Sequence, residues 1–375
     1  MINKNKVVAT SLSALLLTTS LSSAQTVVSG NLNIGLTGRS ADSKQVSDTL
    51  MSKEAQINIR NSGNLNIGGG RYVAGFSLEY DGNDHILNNT LGTGVKGNFN
   101  GATHFENNYI NLIFGNTLLT FSNDHLKPAN QNLIDIVGGP HNVVTVTESA
   151  AGAVAGSAAG LEAQRTIAGT VLTGEKLDQK GFGMGGTQTI PNFGALSYFY
   201  TVNSEGANAM PDTLHTFNTL GTGANSGHSI GFLGNFGVKD LTVHLGYNTQ
   251  DSDQSFAARN NELTAQTFGA RYKFGNVTVA GDYTKADYNV TGSTMKIKGL
   301  GLAYQVDKDM SVGFNHVRGT DSTAAATATE KVTGLTLGYS LGPVALTVTG
   351  GKVDSAGGLP GRDGKAIGAS LGVTF

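Results

Sequence analysis

Ile367-Gly368-Ala369-Ser370-Leu371-Gly372-Val373-Thr374-Phe375 sorts by parity into two sets. Ile367, Ala369, Leu371, Val373 and Phe375 are apolar, while Gly368, Ser370, Gly372 and Thr374 are small or polar. Side chains alternate across a strand, so these residues read as one strand with an apolar face and a small polar face. The same reading holds upstream for Leu335, Leu337, Tyr339 and Leu341, for Leu300, Leu302, Tyr304 and Val306, and for Phe268, Ala270, Tyr272 and Phe274. Ile230, Phe232 and Phe236 repeat it more weakly.

The ends of these strands recur. Phe236, Phe274, Val306, Leu341 and Phe375 lie 38, 32, 35 and 34 residues apart. A tight turn follows each of the first four: Gly237 to Asp240, Gly275-Asn276, Asp307 to Asp309, and Gly342-Pro343. Such residues reverse a chain within a few positions. A second alternating segment and then a longer polar stretch follow each turn, so the unit is a β-hairpin. A period near 35 residues also suits helical repeats, but the alternation and the abundance of Gly, Thr and Asn exclude them. A soluble sandwich has no reason to gather its long loops at one end. Nor does it explain why the apolar face ends in aromatics beside the short turns, at Phe236, Tyr272, Phe274, Tyr304, Tyr339 and Phe375. Aromatics at that level form the interfacial girdle of a membrane barrel. Closure satisfies every backbone group in the bilayer.

Three more strands running toward short turns fall near Thr187 to Ile190, Ile110 to Phe114 and Ala55 to Ile59. The sequence therefore predicts an all-β fold: a closed antiparallel transmembrane β-barrel of about 16 strands, with 14 or 18 as neighbouring counts. Short periplasmic turns and long extracellular loops join them.

Composition narrows the function. The 375 residues include 53 Gly, 6 Pro and no Cys or Trp, and only 14% are charged. Absence of cysteine excludes disulfides, thiolate metal sites and cysteine nucleophiles. No apolar run reaches the length of a spanning helix. At the N-terminus, Lys4 and Lys6 precede an apolar Val7 to Leu17 and the small residues Ser22-Ser23-Ala24. This is the layout of a signal peptide over residues 1–24, with a single barrel domain over residues 25–375. Removing Lys4 and Lys6 leaves 23 basic against 27 acidic residues. That balance argues against a nucleic-acid partner.

Patterns that imitate enzyme sites lack their context. Gly92-Thr93-Gly94-Val95-Lys96-Gly97 fits a dinucleotide motif by letter, but Asn98-Phe99-Asn100-Gly101 does not open the helix it needs. Gly364-Lys365-Ala366 lacks the remainder of a phosphate-binding loop. The eight histidines are scattered, and Asp251, Asp253, Asn260 and Asn261 lack EF-hand spacing. No catalytic, metal or cofactor residues are assigned, and no cofactor is expected.

The terminal Phe strand, the hairpin period and the signal peptide together resemble the general, trimeric, 16-stranded porins of the Gram-negative outer membrane. Asn108 to Asn132 (NYINLIFGNTLLTFSNDHLKPANQN) is similar to their strand–turn–strand unit that runs into the third loop. Their Pro-Glu-Phe-Gly-Gly type of loop motif is missing, and an Ala/Gly stretch, Ala150 to Gly160, stands in its place. The resemblance implies a third loop folded inward, here about Ser122 to Lys180. Its acids Asp124, Asp135, Glu148 and Glu162 would face wall arginines, for which Arg39, Arg60 and Arg71 are the candidates. Arg60 shares the parity of Gln56 and Asn58, opposite Ile57 and Ile59, so it points inward, as does Arg271. The resemblance also implies a homotrimer in outer-membrane lipid, with the C-terminal strand read by the barrel-insertion machinery.

The function expected is a water-filled channel for passive diffusion of small hydrophilic solutes and ions, not an enzyme. Two alternatives remain open on the sequence: a substrate-specific porin, and a non-channel barrel with an adhesin or structural role.

Overall fold

The computed structural model describes residues 24–41, 46–84, 103–123, 133–134, 136–137, 182–201, 225–252, 263–288, 293–322, 328–355, 360–361 and 363–375. Residues 1–23 of the expected signal peptide and the glycine-rich 92–97 stretch lie outside them.

Sixteen strands form the chain: β1 (Gln25–Ala41), β2 (Val46–Asn64), β3 (Arg71–Asp84), β4 (Thr103–Phe114), β5 (Thr117–Asn123), β6 (Phe182–Ile190), β7 (Gly194–Thr201) and β8 (Asn225–Gly234) make the first half. The second half is β9 (Leu241–Ser252), β10 (Leu263–Phe274), β11 (Val277–Tyr288), β12 (Ser293–Gln305), β13 (Met310–Asp321), β14 (Glu330–Leu341), β15 (Val344–Asp354) and β16 (Gly364–Thr374). Each pairs antiparallel with its neighbours, and β1 pairs with β16, so the sheet closes with no free edge. All eight strands expected to run into short turns are present.

Alternation decides which face meets lipid. Leu300, Leu302 and Tyr304 of β12 are exposed on the outside of the barrel, as are Leu335, Leu337 and Tyr339 of β14 and Ile367 and Leu371 of β16. The inner face carries polar pairs. Ser77 Oγ donates to Asn58 Oδ1 at 2.7 Å, Thr120 Oγ1 donates to Asn111 Oδ1 at 2.8 Å, and the Thr187 and Ser197 hydroxyls meet at 2.8 Å. Toward the loop end of β12–β15 this polarity reverses. Met295, Ile297, Val317, Val332 and Val353 point inward and are at most 1% exposed. Lys296, Lys298, Arg318, Lys331 and Lys352 point outward between them.

Two details differ from the sequence reading. Phe236 does not end a strand: β8 stops at Gly234, and Phe236 sits in the turn with φ 51°. It packs edge-on against Phe193 and stacks on Phe232, both with ring centroids 4.8 Å apart, so an aromatic cluster still occupies that level. The loop end is also less uniform than expected. Only residues 42–45 join β1 to β2, because those strands run for 17 and 19 residues and extend well beyond the 9–11 a bilayer requires.

The barrel lumen as candidate functional site

Between β5 and β6, residues Leu133, Ile134, Ile136 and Val137 lie inside the barrel, against the inner wall of β10–β14. Leu133 and Ile134 are buried, at 5% and 0% exposure. Asp282 on β11 faces inward opposite Gly269 of β10. Its Oδ2 accepts from the backbone amides of Leu133 at 3.0 Å and Ile134 at 3.2 Å. Arg271 on β10 donates from Nε to the Leu133 carbonyl at 2.7 Å, and its Nη2 donates to the same oxygen. A buried backbone segment must find partners for its amides and carbonyls. Here an inward acid takes the donors and an inward base takes an acceptor.

The wall is shaped for the segment. At Gly301 a Cβ would stand 2.9 Å from the Ile134 carbonyl carbon, and at Gly313 one would stand 2.8 Å from Val137 Cβ. Only bare backbone lets the chain lie this close. Ile134 then joins Met295, Ile297, Val317 and Val332 in one buried cluster, with Ile136 packed against it. The reversed polarity of β12–β15 therefore has a local use: its inward apolar residues seat the folded-in segment.

On the opposite side stands Arg60. In a ring of sixteen strands β2 lies eight strands from β10. Arg60 is inward, as its parity required, and shares a row with Gly75 and Tyr109. The Tyr109 hydroxyl lies over Gly75, 2.9 Å from where a Cβ would be. Arg71 also faces inward, but at the first position of β3, paired with Asn64 beside the short turn. Arg39 lies on β1, its backbone paired with Asp48 and Ala366. Asp124, Asp135, Glu148 and Glu162 lie outside the described residues. The described structure thus places Arg60 across the lumen from the anchored segment, and sets Arg71 lower. Asp282 escaped the sequence reading. The signal available for it was its position, an acid at an inward parity in the same hairpin as Arg271. Ile367, Ala369, Leu371 and Val373 lie on the outward face of β16, the strand that closes the barrel on β1, and Phe375 follows directly after its last residue.

A closed, sixteen-stranded barrel with an apolar belt outside, polar pairs within and a loop segment folded against its inner wall defines a pore protein of the bacterial outer membrane. Residues 10–358 match the Gram-negative porin family, and the chain belongs to that family. It is a multi-pass outer-membrane protein that forms a channel for small solutes. Among solved structures it is similar to an anion-selective porin from Comamonas acidovorans, with a TM-score of 0.61 at 14% identity, covering 94% of this chain and 100% of that one. Salmonella typhi OmpF in complex with daunomycin gives a TM-score of 0.59 at 12% identity, with 93% and 97% covered. A mutant of Rh. blastica porin gives 0.54 at 14% identity, with 94% and 100% covered. At such identities these likenesses speak for the fold alone. A comparison with curated protein sequences returned no match.

Proposed function

We propose that the channel is a general diffusion pore, without enzymatic activity, whose selection is made by a field across its narrow zone. The observation that supports this is the placement of Arg60 opposite a loop segment tethered by Arg271 and Asp282. Arg271 is committed to the loop carbonyl, which leaves Arg60 as the wall cation of the field. Asp135 stands in sequence between Ile134 and Ile136, so it is the acid we assign to the facing side, with Asp124, Glu148 and Glu162 as the further candidates. Fixed charges of opposite sign across a narrow aqueous path orient dipolar solutes and pass ions of both signs. Screening over about 8 Å at physiological salt makes these near charges count for more than the net charge of the chain.

Reversal potentials across a KCl gradient test the assignment. Arg60→Ser is expected to raise cation preference and enlarge the single-channel current, and Arg71→Ser to change both much less. Equal effects of the two substitutions, or none, would remove Arg60 from the constriction. A barrel that carries no current at all would instead favour the adhesin or structural reading. We further take the chain to be exported by cleavage after Ala24, on the signal-peptide layout of residues 1–24, and to assemble as a homotrimer, as the resemblance implies. Intact-mass analysis and cross-linking of the envelope protein check these two points.

A further inference from the structure

Polar side chains of the inner wall pair with one another in several places. Ser77 bonds to Asn58, Thr120 to Asn111, Thr187 to Ser197, and Thr336 to Thr349. The inner face of β1 and β2 departs from this habit. Asn31 stands opposite Gln56 and Ser29 opposite Asn58, with Asn33 and Arg60 at the two ends of the group. None of these six residues is buried, and the folded-in segment lies across the lumen from them, held by β10 and β11. Among the described residues, the side chains of Ser29, Asn31, Asn33 and Arg60 make no hydrogen bond and no salt bridge.

The carboxamides of the group offer the same end to the lumen. Asn58 Oδ1 already accepts from Ser77 Oγ at 2.7 Å, which leaves its Nδ2 as the open end. Asn33 Oδ1 lies over Gly372 of β16, in the space a Cβ would take. Asn31 Oδ1 is buried with no hydrogen-bond partner, and only the oxygen of this side chain is enclosed in that way. A buried acceptor left unpaired is costly, and such an exception calls for a reason. The geometry supplies one: the donor end is kept for the lumen. Arg60 adds a guanidinium, which has donors and no acceptor. Successive inward positions on β2 are about 7 Å apart, and diagonal neighbours on β1 lie at a similar spacing. Arg60, Asn58, Asn31 and Asn33 therefore form a track of donors with a single positive charge at its turn-side end.

A solute that matches this track is rich in acceptor oxygens and carries one negative charge. A carboxylate takes a guanidinium bidentately, and hydroxyl oxygens accept from carboxamide NH2 groups. A phosphate dianion would call for a second cation, yet Arg271 is held by the Leu133 carbonyl and Arg71 lies beside the short turn. We propose that the β1–β2 track is a subsite for sugar acids, that is, polyhydroxylated monocarboxylates. The carboxylate sits on Arg60, and successive hydroxyl oxygens accept from the Nδ2 groups of Asn58, Asn31 and Asn33. Each neutral donor is weak alone, so the solute moves along the track and leaves it again, as passage requires.

Block of single-channel current in a planar bilayer tests this, with gluconate as the probe. Glucose supplies hydroxyls without the charge, butyrate the charge without hydroxyls, and inorganic phosphate a second oxyanion. Gluconate is expected to interrupt the current at concentrations about tenfold below those of the other three. Asn31→Leu combined with Asn33→Leu removes two donors and keeps their volume. It is expected to weaken gluconate block about tenfold, at roughly threefold per amide, and to leave butyrate block as it was. Thr187→Val with Ser197→Ala removes a self-paired couple from another part of the wall and should not change gluconate block. Isothermal titration of the barrel in detergent should give the same ranking without any current. The inference rests on the reading of Arg60 as a lumen cation, and the two fail separately. If Arg60→Ser moves the KCl reversal potential while the double Asn variant is blocked like the native barrel, the sugar-acid site is overturned and the field remains. If the double Asn variant loses gluconate block while Arg60→Ser leaves the reversal potential in place, the site is upheld and the field falls. Butyrate or phosphate acting as strongly as gluconate on the native barrel also overturns the proposal.

Discussion

Asp282 holds two backbone amides with one charged oxygen, and each bond of this kind is worth about 1.5–3 kcal/mol. Removing the carboxylate leaves the amides of Leu133 and Ile134 buried without their acceptor. Asp282→Ala is therefore expected to release the folded-in segment. Planar-bilayer recordings should show larger and noisier single-channel currents, and heat stability of the barrel should fall only slightly, because the β ladder is untouched. Unchanged current would place the hold elsewhere. Gly301→Ala should reach the same result from the other side, since its Cβ would press on the Ile134 carbonyl. Gly281→Ala is the matched control: the nearest atom to its Cβ would be 3.7 Å away. It should leave the current alone and stabilise the strand by up to about 1 kcal/mol. Sequence could place Arg271 and Arg60 on the inner face because parity is a local property. It could not pair Arg271 with Leu133, 138 residues distant, because nothing periodic marks where a loop touches down.

Strands carry the part of the fold that was most legible. Alternation, girdle aromatics and turn residues are all written within a dozen positions, and they yielded the hairpins, the closure and a count near sixteen. Two properties of the strands were not legible. The overshoot of β1 and β2 was hidden, since Thr, Ser and Gly suit loop and extracellular strand alike. The reversal of polarity at the loop end of β12–β15 was hidden too, since an alternating pattern reads the same from either face until its neighbours fix the phase. That reversal gives a depth-dependent prediction. Leu335→Arg, on the outward face midway between Lys331 and the girdle Tyr339, should cost about 2–4 kcal/mol, whereas Thr320→Glu, outward and opposite Lys296, should cost less than about 1 kcal/mol. Denaturant titration after refolding into lipid vesicles measures both. Similar costs at the two sites would mean that the bilayer boundary does not fall at the level of Lys331.

For the molecule as a whole, one seam makes a sheet into a barrel. Gly30 and Phe375 exchange both backbone bonds, with the Gly30 amide donating to the Phe375 carbonyl at 2.8 Å and the Phe375 amide donating back at 3.0 Å. The Phe375 ring lies over Gly30, 2.7 Å from where a Cβ would be. Deleting Phe375 removes these contacts and about 1.5–3 kcal/mol of aromatic burial. Refolding of the purified chain in detergent should tolerate that loss. In cells we expect a far sharper fall in heat-modifiable barrel, because the terminal strand is also what the insertion machinery would read. Equal losses in the two settings would reduce Phe375 to its burial alone.

The seam has a further consequence, for cooperativity. Eleven register positions join β1 to β16, from Asn31↔Thr374 to Ala41↔Gly364, and they lie more than 300 residues apart along the chain. Contacts of such separation form slowly. Until they form, both strands present a column of unpaired amides and carbonyls, each costing several kcal/mol in hydrocarbon. A barrel open along this line has no comfortable resting place in the bilayer. The lipid itself thus removes half-zipped intermediates, and insertion and closure become one all-or-none event.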